Sequence, residues 1–471
     1  MMKAAVVGSG PNGLAAGITL AKSGYDVTVY ESAPTPGGGM RSNDDLRTGV
    51  IHDMCSAVHP MSVVSPFFRD TDLSKHGLAF AYPEVDLAHP LDGGRAGVLY
   101  KDIDRTANRM GADGKLWKAT FGPMAKSFDK IATSVFGPII DIPRHPLPFA
   151  YFGLNSALPA VLSAKRWRSD EAQALYMGVA AHILTRLDTP MSSAVGTLLT
   201  AAAHKAGWPV AEGGSGAIAA AMVAELEAHG GRVVCDHKVN SLKELGDVNA
   251  VMLDVSPSIA LEICGDALPA RQKRAYRNYR HGMGAFKVDF VIRGDVPWTN
   301  SEARKAGTVH VGGTAAEVAR AEKAATAGGL SDRPFVLVGQ QYLADTTRSD
   351  GEYHPLWAYA HVPAGYAGDA TQAIIEHIER FAPGFRDTIV DSVSYSTQEV
   401  EGYNANYIGG DIIGGASDMI QLLARPILSM DPYFTGIDGV YLCSASTPPG
   451  AGVHGMSGWQ AATRAIKSNQ G

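Results

Sequence analysis

Cysteine is scarce. Four occur in 471 residues, Cys55, Cys235, Cys264 and Cys443, and none forms a C-x-x-C pair. That excludes a disulfide scaffold, a cysteine zinc site and a dithiol redox centre. Reduced thiols fit a cytoplasmic chain. Charge is sparse too, at 19% of residues, with 41 Lys+Arg against 47 Asp+Glu for a net charge of −6. A nucleic-acid binder would show a basic stripe, and none is present. No metal-ligand cluster and no Ser-His-Asp arrangement stands out, so no metal is expected. The hydrophobic share, 45%, excludes disorder over most of the chain. The length corresponds to roughly three domain equivalents of about 150 residues each.

Long apolar runs are also missing. Lys3 is followed by only Ala4-Ala5-Val6-Val7 before glycine, too short for the apolar region of a signal peptide. The stretch 146–164 carries no charge, and Lys165-Arg166-Trp167-Arg168 follow it. A spanning helix needs about 20 apolar residues. Pro146, Pro148, Gly153, Asn155 and Pro159 interrupt this one. A buried loop and helix is the expected state. The alternative is a patch that dips into a bilayer while its basic cluster meets anionic headgroups.

Glycine is abundant, and its placement is informative. Lys3 to Val7 reads as a buried parallel strand. Gly8-Ser9-Gly10-Pro11-Asn12-Gly13 follows at once, then a helix over Leu14 to Ser23 stopped by Gly24, then a strand from Tyr25 to Tyr30 ending on Glu31. Strand, glycine turn, helix, strand and terminal acid together form a dinucleotide-binding pattern. Gly8 permits the tight turn, Gly10 lets the backbone approach a pyrophosphate, and Gly13 lets the helix pack close to the strand. Pro11 and Asn12 open the helix, whose N-terminus offers N–H groups to the phosphates. Glu31, next to Ser32, can accept hydrogen bonds from ribose hydroxyls. Gly37-Gly38-Gly39-Met40-Arg41-Ser42 then suits a second loop against the same ligand. A nicotinamide domain would continue directly into its next βα unit, whereas here a long mixed region follows, so FAD is expected.

The blocks GSGPNGLAAGITLAKSGYDVTVYE and PGGGMRS resemble the phytoene dehydrogenase-like branch of the FAD-dependent amine oxidase and carotenoid desaturase superfamily. The resemblance continues at 52–68, 207–226, 279–298, 356–363, 406–415 and 439–462, nearly the whole chain. It implies that Val239 holds the adenine through its backbone. It also places the helix starting at Met456, with Gly452, Val453 and His454 before it, at the flavin end of the same FAD. Gly450-Ala451-Gly452-Val453-His454-Gly455 repeats the glycine spacing, but too little chain follows for a second nucleotide fold. Three positions depart from the pattern: Ser444 and Ala451 stand where glycine is usual, and Gly39 where arginine is frequent. Phosphate contact from a basic side chain then rests on Arg41.

The expected fold class is α/β: a Rossmann-like FAD-binding domain with a discontinuous mixed α+β substrate domain. The expected division is 1–75, 205–275 and 425–471 for the first and 76–204 and 276–424 for the second. Further expectations are a helix from Gly213 to His229, strands at 232–235, 250–254 and 440–443, β patterns over 281–298 and 334–342, and helices at 314–326 and 370–381. Much of 100–204 reads helical, interrupted by prolines from 138 to 159.

The expected reaction is hydride removal from carbon with loss of a neighbouring proton to leave a double bond, the electrons passing to oxygen or a quinone. The resemblance implies a hydrophobic, isoprenoid-like small molecule. His454 is a proton-transfer candidate near neutral pH, and His59 and Tyr359 are further candidates. Trp357, Tyr359 and His361 alternate along a strand and could line one wall. Asn404 and Asn406 read as turn residues. An amine oxidase, a non-redox isomerase and a non-catalytic FAD-bound scaffold are the alternatives. The electron acceptor and the oligomeric state, a homo-oligomer included, stay open.

Overall fold

The computed structural model describes residues 1–138 and 142–470. Residues 139–141, within the stretch expected to be broken by prolines, and Gly471 lie outside the described residues. In chain order the elements that position the site are β1 (Lys3–Val7), α1 (Pro11–Lys22), β2 (Asp26–Tyr30), β3 (Val85–Pro90), β4 (Ala96–Leu99), α2 (Phe128–Val135), α3 (Pro146–Ser156), α4 (Asp170–Ala180), α5 (Ser193–Ala206) and α6 (Gly216–Ala228). They continue with β5 (Arg232–Val234), β6 (Ala250–Leu253), β7 (Gly284–Arg293), β8 (Ala306–Val311), α7 (Ala315–Thr326), β9 (Val336–Gly339), β10 (Tyr353–Val362), α8 (Thr371–Phe381), β11 (Ile389–Tyr395), β12 (Val440–Leu442) and α9 (Met456–Gln470).

Two sheets organise the chain. The first is parallel throughout, in the order β12-β6-β1-β2-β5. Both of its faces are covered, which is why these strands are short apolar runs. Ala4, Val6, Ala250 and Met252 pack with Leu14 and Ile18 of α1 and with Leu226 of α6. Ala5, Val7, Val251 and Leu253 point the other way, onto Ile263 and Tyr276. The period-2 alternation of a strand thus serves two cores at once. α1 begins three residues before the expected Leu14, because Pro11 suits the first helical position. α6 begins at Gly216 and not Gly213, because Gly213 (φ +75°) and Gly214 (φ +106°) make a turn first.

The second sheet runs β11-β7-β10-β9-β8-β3-β4 and is antiparallel except for the parallel pair β8–β3. Its strands alternate in the same way. Leu356, Ala358, Ala360 and Val362 of β10 pack with Ile374, Ile378 and Phe381 of α8. Leu337, Trp357 and Tyr359 face the opposite side, toward the large cavity between the sheets. The stretch 146–164 folds as α3 and a short helix at Ala160–Ala164. Among the described residues no helix is long and apolar enough to cross a membrane.

Candidate functional site

A cavity of about 1010 Å³ runs from the end of the parallel sheet to the inner face of the mixed one. Its first wall is the turn between β1 and α1. Gly8 and Gly13 have no room for a side chain, and one at Gly10 would have to displace the Asp254 carboxyl. A Cβ on Gly8 (φ +96°) would lie 2.7 Å from the Asp254 carbonyl oxygen. One on Gly10 would lie 2.7 Å from Asp254 Oδ2, and one on Gly13 2.0 Å from the Gly8 carbonyl oxygen. The second glycine loop lies directly on the first: a Cβ on Gly38 would meet Gly10 Cα at 2.9 Å. Tyr407 explains why glycine stands at 39, since its hydroxyl is 2.2 Å from where a Cβ would be.

Glu31 ends β2 and is buried. Its Oε2 accepts hydrogen bonds from the Ser9 N–H (3.0 Å) and hydroxyl (2.5 Å), and Oε1 from the Ala33 N–H (2.9 Å). Ser32 and Arg41 add contacts at 3.3 and 3.4 Å. Arg41 Nε donates to the Thr35 carbonyl (3.0 Å), and its guanidinium stands 5.1 Å from the Tyr403 ring centroid. Val239 lines the cavity from beyond β5, and Ser444, Gly452, Val453 and His454 line it from the loop before α9. Gly8, Gly10, Pro11, Asn12, Glu31, Ser32, Gly38, Gly39 and Arg41 also line it. Gly13, Met40 and Met456 do not; they stand behind the surface. Gly13 holds α1 against β1, Met40 is buried, and the Met456 N–H donates to His454 Nδ1 (3.0 Å).

That hydrogen bond corrects the proton-transfer reading of His454. Nδ1 is an acceptor here, so the ring proton is on Nε2. Burial pushes its pKa down to about 4, and the ring is a neutral N–H donor near pH 7. His59 is the same tautomer, but its Nε2 proton is already engaged. The Ser215 hydroxyl donates to the Ser56 carbonyl (2.6 Å), so His59 Nε2 must be the donor to Ser215 Oγ (2.8 Å). His59 Nδ1 keeps a free lone pair. Burial, opposed by the Asp53 charge, sets its pKa at about 4, so it too is neutral. The Tyr359 hydroxyl is pushed up by burial and stays protonated. Its ring meets Trp357 edge-on, centroids 5.0 Å apart, and both line the cavity. His361 does not join that wall: its Nδ1 is tied to Glu322 Oε1 of α7 at 2.8 Å.

Three contributors carry no local sequence signal. Asp254, just past β6, accepts from the Gly13 N–H through Oδ2 (2.8 Å) and lines the cavity. Asn406 is more than a turn residue: Oδ1 accepts from Ser256 N–H (2.8 Å) and Nδ2 donates to the Asp254 carbonyl (3.3 Å). His182, after α4, lines the far chamber with Trp208, Leu198 and Leu337. Its Nε2 is bonded to His310 Nε2 at 3.0 Å. Burial and the nearby His361 bring His182 to about 3, so the pair is neutral.

Burial, with the Glu31 charge next, raises Asp254 to about 7 against the opposing N–H groups of Gly13 and Gly10. A carboxyl raised on folding favours the fold while protonated. That contribution is complete below its ordinary range and is lost as pH climbs through about 7. Asp254→Asn keeps an acceptor for Gly13 and cannot ionise. The variant is expected to gain stability over the parent between about pH 4 and about pH 7, read as urea midpoints. A gap that does not change with pH would show that Asp254 does not titrate there.

The residues present fit a dinucleotide. Glycines keep the cradle open, Glu31 is a ribose-type acceptor, and Asn12 Oδ1, His59 Nδ1, Arg425 Nε and His454 Nε2, all on lining residues, have no partner among the described residues. No group of three or more His, Cys, Asp or Glu among the described residues could hold a metal ion.

Comparison with known proteins agrees with this geometry. Residues 6–71 match the model of the NAD(P)-binding Rossmann-like domain. Pyridine nucleotide-disulfide oxidoreductase domain-containing protein 2 from Rattus norvegicus is 22% identical over 545 residues, covering 98% of this chain and 92% of that protein. Among solved structures, a triple mutant of putrescine oxidase from a redesign of cofactor binding superposes with a TM-score of 0.63 at 16% identity, covering 100% of this chain and 99% of that one. An oxidoreductase from Methanosarcina mazei superposes with a TM-score of 0.62 at 15% identity, covering 99% and 100%. The chain therefore carries an NAD(P)-binding Rossmann-like domain at residues 6–71, set within the fold of these oxidoreductases.

Proposed function

We propose that the protein is an FAD-dependent oxidoreductase that removes hydride from a carbon of a hydrophobic small molecule and leaves a double bond. The carrying observation is that glycine loops from both ends of the chain, through residues 8–12 and 450–454, line one cavity. A ligand long enough to touch both suits FAD, whose adenine half would lie against Glu31 and Val239. The nucleotide domain comprises 1–75, 205–275 and 425–471, which contribute every strand of the parallel sheet. The substrate domain comprises 76–204 and 276–424. When bound, a flavin supplies the hydride-accepting centre.

The chain's own residues shape what meets that centre. Ile183, Val195, Leu198, Leu199, Trp208 and Leu337 make the chamber apolar and exclude water. His182 is a polar point within it. The acidic lining residues, Glu31, Asp45 and Asp254, belong to the nucleotide-side segments, so among the described residues the chamber offers no counter-charge to an ammonium. His59 Nδ1 is the free basic nitrogen nearest in sequence to the glycine loops and is the candidate to take the departing proton. His454 Nε2 is a hydrogen-bond donor.

A second reading, an amine oxidase, has one observation in its favour: the Trp357–Tyr359 pair, whose ring faces could hold a cation. Anaerobic titration separates the two. The purified protein is expected to be yellow and to be bleached by an apolar polyene precursor, with colour restored by oxygen or a quinone. Bleaching by putrescine or cyclohexylamine alone would replace this reading with the second. Protein that is colourless and takes up no added FAD would overturn both.

A further inference from the structure

We propose that α3 docks the protein on an anionic lipid bilayer. The helix is expected to be buried from its composition, yet only its inner side is. Phe152 and Ser156 are buried, whereas Leu147 is 82% exposed, Leu154 75% and Leu158, just past the helix, 44%. With Tyr151, these side chains recur at positions i, i+4, i+7 and i+11, so they form one stripe along the outer face. Leu162, half exposed in the next short helix, follows it. A contiguous stripe of exposed leucines is the kind of surface that marks a partner.

Charge selects the partner. From 142 to 169 the chain has four cations, Arg144, Lys165, Arg166 and Arg168, and no acidic residue, in a protein whose net charge is −6. Arg166 holds the end of α3 by donating to Asn155 Oδ1 (2.7 Å). Arg144 and Lys165 are exposed and form no ion pair among the described residues, whereas exposed Arg168 lies beside the Asp113 carboxylate, which accepts its backbone N–H (2.9 Å). Leucines flanked by unpaired cations suit acyl chains below anionic headgroups. A second copy of this chain suits them less, because a two-fold contact through the stripe would bring the same cations together.

The place in the fold gives the contact a use. α3 packs on α2 and α5. Val135 of α2 and Val195, Leu198 and Leu199 of α5 line the cavity. One helical layer therefore separates the bilayer from the chamber. The docking stands on the stripe and its charges; only its purpose, drawing an apolar substrate from lipid, rests on the proposed chemistry.

The test is co-sedimentation of the flavin-loaded protein with vesicles of phosphatidylcholine alone or mixed with phosphatidylglycerol, following visible absorbance in the pellet. The parent is expected to pellet with the mixed vesicles and to be released by salt. Leu147→Glu/Leu154→Glu is expected to weaken this by about tenfold or more, and Lys165→Glu/Arg168→Glu by a similar factor. Both variants change exposed side chains and should keep their flavin. Yellow parent protein that stays in the supernatant overturns the docking and leaves the redox reading intact. Unchanged pelleting of the leucine variant overturns it as well. So does a dimer, seen by sedimentation velocity, that the leucine variant abolishes while no vesicle is bound.

Discussion

Gly458→Ala is expected to unfold the cofactor end of the molecule. Gly458 lies in the first turn of α9, where α9 crosses α1. A Cβ there would sit 1.8 Å from the Asn12 carbonyl oxygen, 2.7 Å from its carbonyl carbon and 2.9 Å from the Ala16 nitrogen. All three are backbone atoms of α1, so no rotamer change makes room. The helices must separate, and each carries part of the site: Asn12 lines the cavity from α1, and Val453 and His454 immediately precede α9. Overpacking of this kind costs about 3 kcal/mol or more. Intrinsic preference has the opposite sign, because alanine is favoured over glycine inside a helix by about 1 kcal/mol. The direction of the change therefore decides. Thermal unfolding is expected to shift down by about 2–3 °C, with weakened retention of the proposed flavin. A variant that melts at or above the parent would show that α1 and α9 do not cross so closely.

That crossing was not readable from the chain, whereas the nucleotide turn beside it was. The turn is local. Its strand, three glycines, helix and terminal acid lie within about thirty residues, and each glycine has a steric reason that holds in any such turn. Contacts assembled from distant segments leave no such mark. Gly13 and Asp254 are 241 positions apart, and Gly39 owes its missing side chain to Tyr407. His182 reads as an ordinary residue after a helix until folding sets it against His310. Proton roles were hidden for another reason. His454 and His59 are recognisable as residues of the right loops, but whether each donates or accepts depends on Met456 N–H and on the Ser215 hydroxyl. Their neutrality depends on burial. Alternation along β10 correctly brought Trp357 and Tyr359 to one wall, and it failed for His361 because Glu322 of α7 lies under that end of the strand.

Arg348 shows how strongly the two sheets depend on a contact of this distant kind. Its side chain is wholly buried. Nη1 reaches Asp53 Oδ2 at 2.6 Å, Nε reaches Asp345 Oδ2 at 3.3 Å, and Nη2 donates to the Ala211 carbonyl at 2.8 Å. Asp53 in turn accepts from the Ser42 hydroxyl (2.7 Å) and the Ser215 N–H (2.7 Å). The guanidinium thus ties the segment before β10 to the second glycine loop and to the turn that starts α6. Burial alone would raise the Asp53 pKa, but the Arg348 charge and the Ser215 and Ser42 hydrogen bonds hold it below the ordinary carboxylate value. Stability from this pair is present above that value and is lost as pH falls through the lowered one. Arg348→Ala leaves two buried carboxylates without their cation, which costs about 3–5 kcal/mol. The variant is expected to unfold at clearly lower urea, with the proposed flavin released before the main transition because the glycine loop loses its anchor. Arg348→Lys keeps the charge without the fork and is expected to recover part of the loss. Acidification tests the same link from the other side. Below the Asp53 pKa the parent loses the pair, so the gap between parent and Arg348→Ala should close toward low pH. A gap that persists there would mean that packing, and not the ion pair, makes Arg348 matter.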